Sequence, residues 1–347
     1  MLKHLQELCN LCGCSGDESE IRQYIIRILE RTNGVSWEID PLGNLLVQKR
    51  GASRAPHRLM VSAHMDEVGL IVTHIFSDGT LSVAAVGGVD ASVVIGRQVL
   101  VGKNHIPGVI GVKPVHLLTD EEKKMIPEFG GFVLDIGAEN REQAEEIAPP
   151  GTYVYFMSNF RQFGKECICS KAIDDRVGCA LLLYLLEQET PYDFTGAFLV
   201  QEEIGLRGAK TAAYTIAPDF ALVLEATTAA DLVDAKEDEK VCTLGKGPVI
   251  SFMDHSTIYD SALVQMAFSI GKVHDIPCQT KSRIAGGNDS GAIHLSRGGV
   301  RTLSVSLPCR YLHSPASVAN LADIDALSKF LPLLVTQMLQ IPHKDSI

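Results

Sequence analysis

No stretch of this chain reaches 18 consecutive apolar residues, so no helix is expected to span a bilayer. The opening MLKHLQELCNLCGCSGDE has neither an uninterrupted apolar core nor an A-x-A-like cleavage site, so no secretory signal is expected. Lys/Arg runs never exceed two residues and the formal net charge is −11. A nucleic-acid partner would need the basic stripe that is missing. Acidity of this size favours solubility and says little about substrate. Internal repeats and low-complexity tracts are absent. Cysteine pairing is also unsupported: nine cysteines, an odd number, are scattered over 347 residues. They are read as reduced thiols in a cytoplasmic protein. Cys9-x-x-Cys12-x-Cys14 has the form of a fragment of a metal or iron–sulfur site, but no second cluster of matching form completes four ligands.

Hydrophobic residues make up 46% and charged residues 21%, the balance of a globular protein with one large domain or two. Leu2, Leu5, Leu8 and Leu11 recur at helical spacing up to Gly13. Ser15-Gly16-Asp17-Glu18 has the S-x-x-E form of a capping box, predicting a second helix through Ile21, Tyr24, Ile25 and Ile28. Strands are predicted at 36–40, 45–48 and 58–63. From about 69 to 165, short β-rich pieces at 81–86, 93–101, 109–112, 132–136 and 153–156 are separated by glycines, as in a small barrel or sandwich. Beyond 166, strands (195–200, 220–224, 302–306) alternate with helices (174–188, 206–216, 261–271). That rhythm predicts an α/β fold: a largely parallel mixed sheet flanked by helices, formed by 1–68 with 166–347. The β-rich segment 69–165 is an insert, barrel-like and small.

In open α/β sheets ligands gather beyond the carboxyl ends of the strands. His64-Met65-Asp66-Glu67 follows the strand 58–63, Glu202 and Glu203 follow 195–200, Glu225 follows 220–224, and Arg310-Tyr311-Leu312-His313 follows the strand near 302–307. Lys171-Ala172-Ile173-Asp174-Asp175-Arg176 opens a long helix. Singly, each has a plain explanation: a solvated glutamate pair, a structural histidine, aspartates favoured at a first helical turn. Together, separate strands each end in a metal-ligand type, and a mixed His/carboxylate shell suits Zn²⁺, Co²⁺ or Mn²⁺. Five plausible ligands with acids to spare are enough for two ions about 3.5–4 Å apart sharing one carboxylate. A further carboxylate beside the attacking water can take its proton and pass it to a leaving amine.

SAHMDEVG (62–69), SKAIDDRVGC (170–179), QEEIG (201–205), LVLEAT (222–227) and RYLHSP (310–315) resemble the dinuclear aminopeptidases of peptidase family M42, which includes glutamyl aminopeptidases and tetrahedral TET peptidases. LCGCSGDE, GVIGVKPVHLL (108–118) and DIGA (135–138) extend the likeness over nearly the whole chain. The resemblance implies that His64, Asp174 and Glu225 hold one metal and that Asp174 bridges to a second, held also by Glu203 and His313. Glu202 would be the general base and acid acting on the metal-bridging water, and Asp66 would orient the His64 imidazole. The family commonly has Asp where Glu225 stands; glutamate keeps two oxygens, and metal binding is expected to persist. A cis peptide between Asp174 and Asp175 is implied too.

The expected function is a dinuclear metallo-aminopeptidase, a hydrolase with two divalent ions per chain, Zn²⁺ or Co²⁺ first and Mn²⁺ next. Its substrates would be short peptides with a free N-terminus. By the same likeness 69–165 is a dimerisation domain and the protein a homo-oligomer, dimer-based and up to a dodecamer. Other readings are a metal-dependent amidohydrolase or deacylase of the same fold, a glycosidase working through paired acids, and a non-catalytic homologue. His116, His255, Asn288 and Asp289 lie in polar segments that can reach the site, with structural roles the simpler expectation.

Overall fold

Strands Leu59–His64 and Phe220–Thr228 are buried along almost their whole length. Neither alternates apolar with polar, because both faces of the sheet are covered there. Met60, Ala221 and Val223 pack on Ala209, Ala212 and Ala213 of helix Arg207–Ile216. Val61, Ala63, Leu222 and Leu224 lie in the larger core with Val177, Ala180 and Leu181 of helix Ile173–Glu187. The structure, a computed structural model, describes residues 1–157 and 159–341.

Both strands belong to an 11-stranded mixed sheet. Its main path runs Val35–Ile39, Leu45–Lys49, Phe194–Leu199, Leu59–His64, Phe220–Thr228, Arg301–Arg310, Ser317–Asn320, Cys167–Ser170 and Arg161–Phe163. The parallel part is the centre, from Phe194–Leu199 to Arg301–Arg310, where strand and helix alternate in the chain. The flanks pair antiparallel. One long helix, Leu321–Leu339, escaped the sequence reading; it buries Leu327, Phe330, Leu331 and Leu334 against the main core.

The insert is a closed barrel of Gly69–Ile75, Leu81–Val86, Phe132–Asp135, Ile106–Val112, Gln98–Val101 and Tyr153–Phe156, with its own apolar core. Its strands therefore lie between 69 and 156. Arg161–Phe163 already pairs with Cys167–Ser170 of the large sheet, a few residues before the boundary expected at 165.

Two local expectations change. The second helix runs Ser19–Leu29 with Glu18 at its N-cap and no side-chain capping bond. Ser15 and Glu18 are engaged with the strand-end loops instead, so the S-x-x-E pattern is not a capping box. The strand expected to stop at Leu224 continues to Thr228, paired along its length with Arg301–Arg310, so Glu225 sits inside a strand.

Candidate metal centre

The central strands deliver their carboxyl ends to one edge of the sheet. His64 is the last residue of its strand, Glu202 and Glu203 follow Phe194–Leu199, and His313 follows Arg301–Arg310. Asp174 stands at the start of Ile173–Glu187, where Asp174 and Asp175 depart from helical φ/ψ and share a cis peptide. The two aspartates divide the work. Asp175 accepts from the backbone N–H of Gly178 at 2.9 Å and of His64 at 3.2 Å, so it caps the regular helix and ties it to the strand. Asp174 points its carboxylate at the two histidines.

Adjacent glutamates on a regular strand would face opposite ways. Gln201 breaks the alternation with φ of +56°, a left-handed backbone that costs a non-glycine residue about 1–2 kcal/mol. Ala172 (+54°), Tyr311 (+59°) and His313 (+56°) adopt the same region beside the other site residues. Surrounding bonds hold the Glu202–Glu203 turn. The buried Asp66 carboxylate accepts from the Glu202 N–H at 3.0 Å, the Glu203 N–H at 3.1 Å and the Ser15 hydroxyl at 2.6 Å. Glu18 accepts from the Gln201 N–H at 3.2 Å. Burial would raise the Asp66 pKa, but hydrogen bonds from His64, Ser15 and the Glu202 N–H bring it below the usual carboxylate value.

His64 is oriented by Asp66 mainly through the main chain. Its Nδ1 lies 3.0 Å from the Asp66 carbonyl oxygen and 3.4 Å from the carboxylate. Donation there leaves Nε2 as the free lone pair, 3.2 Å from Asp174 Oδ1 and 3.5 Å from Glu225 Oε1. His313 repeats the device from another part of the chain: Nδ1 is 3.0 Å from the carbonyl oxygen of Gly88, in the barrel insert. Its Nε2 is 3.3 Å from Glu203 Oε2 and 3.6 Å from Asp174 Oδ2. A Cβ at position 88 would stand 3.3 Å from His313 Nδ1, so glycine lets the insert's backbone approach the ring.

Three groups place their donor atoms within 4.8 Å of one another: His64–Asp174–Glu225, Asp174–Glu203–His313 and His64–Glu202–Glu203. Asp174 is common to the first two. Among the described residues, no Lys or Arg pairs with Asp174, Glu203 or Glu225; their ion-pair partners are the two imidazoles. Buried carboxylates crowded this way need cations, and the His/carboxylate donor set fits divalent metal ions. The electrostatics without a metal say the same. Burial, then the neighbouring Asp174, pushes Glu203 and Glu225 up to about 8. Burial drives Glu202 well above the usual carboxylate range, reinforced by Asp289, Glu225 and Glu203 against the opposing His64. Hydrogen bonding to Asp174 raises His313 to about 9, against its burial. Protons take the place that cations fit.

A stability prediction follows for the metal-free protein. Glu203 and Glu225 bind protons more tightly folded than at the ordinary value of 4.5, so their stabilising protonation fades as pH rises from there through about 8. His313 acts in the same direction between 6.5 and about 9. The metal-free protein should melt at least roughly 5 °C lower at pH 9 than at pH 6, and saturating Zn²⁺ should remove most of that slope. Equal slopes with and without metal in a melting series would contradict the assignment.

Of the other polar residues, Asn288 lines the cavity but spends its side chain on Tyr259, Ser304 and the Ser290 N–H. Asp289 is buried behind it, and His116 and His255 are exposed. The three N-terminal cysteines are buried; burial raises Cys9 to about 12 and Cys12 to about 11, which suits packed thiols. Sequence reasoning placed Ser15 and Glu18 only in a helix cap, gave no role to the buried Lys171–Glu67–Arg176 cluster that braces the loop behind the site, and missed the Gly88 carbonyl. The charged residues beside Asp66 and Asp174 were the available signals. A main-chain carbonyl leaves none.

The M42 glutamyl aminopeptidase family model matches residues 43–330. Lysyl aminopeptidase of Pyrococcus furiosus is 34% identical over 336 residues, covering 94% of each chain. Glutamyl aminopeptidase of Lactococcus lactis subsp. cremoris is 32% identical, covering 96% of this chain and 95% of its own. Among solved structures, the Pyrococcus horikoshii TET1 peptidase, which can assemble into a tetrahedron or a large octahedral shell, is 33% identical with a TM-score of 0.84. The match spans 96% of this chain and 98% of that one.

Proposed function

This chain belongs to the M42 glutamyl aminopeptidase family, and from that premise we propose that it hydrolyses the N-terminal residue from short peptides at the cluster around Asp174. The observation that carries the reading is a pair of ligand triads sharing Asp174, with Glu202 beside them and in neither. His64, Asp174 and Glu225 would hold one divalent ion, and Asp174, Glu203 and His313 a second. Zn²⁺ or Co²⁺ are the first candidates and Mn²⁺ the next. When bound, the ions supply Lewis acidity to the scissile carbonyl and acidify the attacking water.

The chain's own residues do the rest. Asp66 fixes the main chain of Glu202, so the Glu202 carboxylate is presented to the cavity from a braced turn. From that position it can take the proton of the attacking water and return it to the leaving amine. The Asp66 and Gly88 carbonyls hold the two imidazoles with Nε2 turned to the carboxylates. Glu202 and Glu203 place oxygens within 4.8 Å of each other and of a His64 ring nitrogen, a grouping that suits metal ligation better than the two acids a glycosidase sets on either side of a sugar ring.

An acid-lined cavity suits a free α-amino group, and acetylation removes its charge and adds bulk. A peptide with a free N-terminus should be cleaved at least roughly 10³-fold faster than its N-acetylated form, measured as kcat/KM with metal added. Equal cleavage of the two would favour the amidohydrolase reading.

Assembly and location belong to the same proposal. The barrel insert exposes Val115, Leu117, Met125 and Ile126, an apolar set that self-association through the insert would cover, in a dimer or a larger shell. All nine cysteines are free, as in a reducing cytoplasm. Among the described residues no helix is long and apolar enough to cross a membrane.

A further inference from the structure

Side chains alternate along a strand, so Ser62 faces the same side of the sheet as His64 two residues on. Its register partners form a row of Ala197, Ser62, Val223 and Ser304, next along the strands to the row that carries His64 and Glu225. The segment 288–293 covers this row. Asn288 Nδ2 donates to Ser304 Oγ at 3.0 Å, and Ala292 and Ile293 share an apolar cluster with Met60, Ala197 and Val223. Asp289 and Ser290 are enclosed between those anchors, 1% and 0% exposed.

Polar atoms on both sides of this contact lack a partner. Ser62 Oγ and Asp289 Oδ1 are buried without a hydrogen bond, and Ser290 Oγ, which neighbours the Tyr259 hydroxyl, is a third. Asp289 precedes the short helix Ser290–Ile293 yet makes no capping bond with it. Among the described residues no Lys or Arg forms an ion pair with Asp289, and the charged groups around it are Asp66, Glu202 and His64. A buried carboxylate oxygen left unmet is expensive, so an occupant is required.

The donors say which. A water would satisfy the hydrogen bonds but bring no charge, and this carboxylate stands among other carboxylates. Nor is it a further site for a zinc-like ion, because Asp289 belongs to none of the three His/carboxylate groups whose donor atoms converge. One carboxylate with hydroxyl oxygens, and neither nitrogen nor sulfur, is a hard and singly charged donor set. We propose that a sodium or potassium ion binds between Asp289, Ser62 and Ser290, with water completing its shell, and pins the 288–290 segment to the sheet. Gly286, Gly287 and Asn288 wall the cavity that holds the metal ligands, so the ion keeps that wall in place. It takes no ligand from either divalent site.

The test melts the full Zn²⁺-loaded chain in sodium, potassium or choline chloride at one ionic strength; choline is too large for the site. One of the alkali salts should raise the melting temperature by at least roughly 3 °C over choline, saturating with concentration, and calorimetry should detect that ion binding. Asp289→Asn keeps the shape and removes the charge. It should melt alike in all three salts with its divalent metal content unchanged, and Ser62→Ala should weaken the ion's apparent affinity. For an aminoacyl substrate, wild-type KM should rise at least roughly threefold in choline with kcat nearly unchanged. Equal wild-type melting in the three salts would overturn the proposal and leave an ordered water as the occupant. A salt response undiminished in both variants would overturn it too, as would a third divalent ion per chain. The wild-type melting and calorimetry need neither a variant that folds nor any turnover, so they stand even if the aminopeptidase reading fails.

Discussion

Glu202→Gln is expected to leave a folded protein that still takes up metal but turns over roughly 10²–10⁴-fold more slowly. Glutamine matches glutamate in shape, and the anchoring bond from the position 202 N–H to Asp66 is a main-chain bond the substitution does not touch. The change removes only the ability to gain and lose a proton. Both main ligand triads remain complete without it. The loss should fall in kcat with KM nearly unchanged, because proton transfer is needed in the transition state more than in binding. Metal content by emission spectroscopy and steady-state kinetics on one preparation separate the roles. Residual activity within a few-fold of wild type would remove Glu202 as the base, and lost metal with lost activity would make it a ligand.

Asp174→Ala should be more damaging, with activity down roughly 10⁴-fold or more, because it takes an oxygen from both triads at once. His313→Ala should empty only the site it shares with Glu203 and leave His64 and Glu225 in place. Metal stoichiometry therefore distinguishes a shared ligand from two independent ones: Asp174→Ala should lose both ions and His313→Ala one. A second readout guards against simple unfolding. Asp174 is the neighbouring charge that, after burial, most raises Glu203 and Glu225. Without it the metal-free variant should titrate those groups lower and show a shallower fall in melting temperature between pH 6 and pH 9 than metal-free wild type. Full retention of one ion by Asp174→Ala would show that the two triads do not share it.

The α/β rhythm and the inserted barrel were legible because both rest on local periodicity: the strands at 81–86, 153–156 and 195–200 appear within a residue or two of their predicted places. Errors arose where tertiary context overrode local chemistry. Ser15 and Glu18 carry a helix-capping pattern, yet both found partners elsewhere, at Asp66 and Gln201. Glu225 looked like the first residue of a loop because it is charged, whereas pairing with Arg301–Arg310 carries the strand through it.

The sequence by itself determined which residue types stand at the strand ends and in what order, since metal-ligand side chains and the strands that carry them are local features. Their partnerships were decided only by the tertiary structure. His64 meets Asp174 across 110 residues, and His313 meets the Gly88 carbonyl across 225. Such contacts depend on strand order, on the left-handed turn at Gln201 and on the approach of the insert's backbone, none of which has a period in the chain.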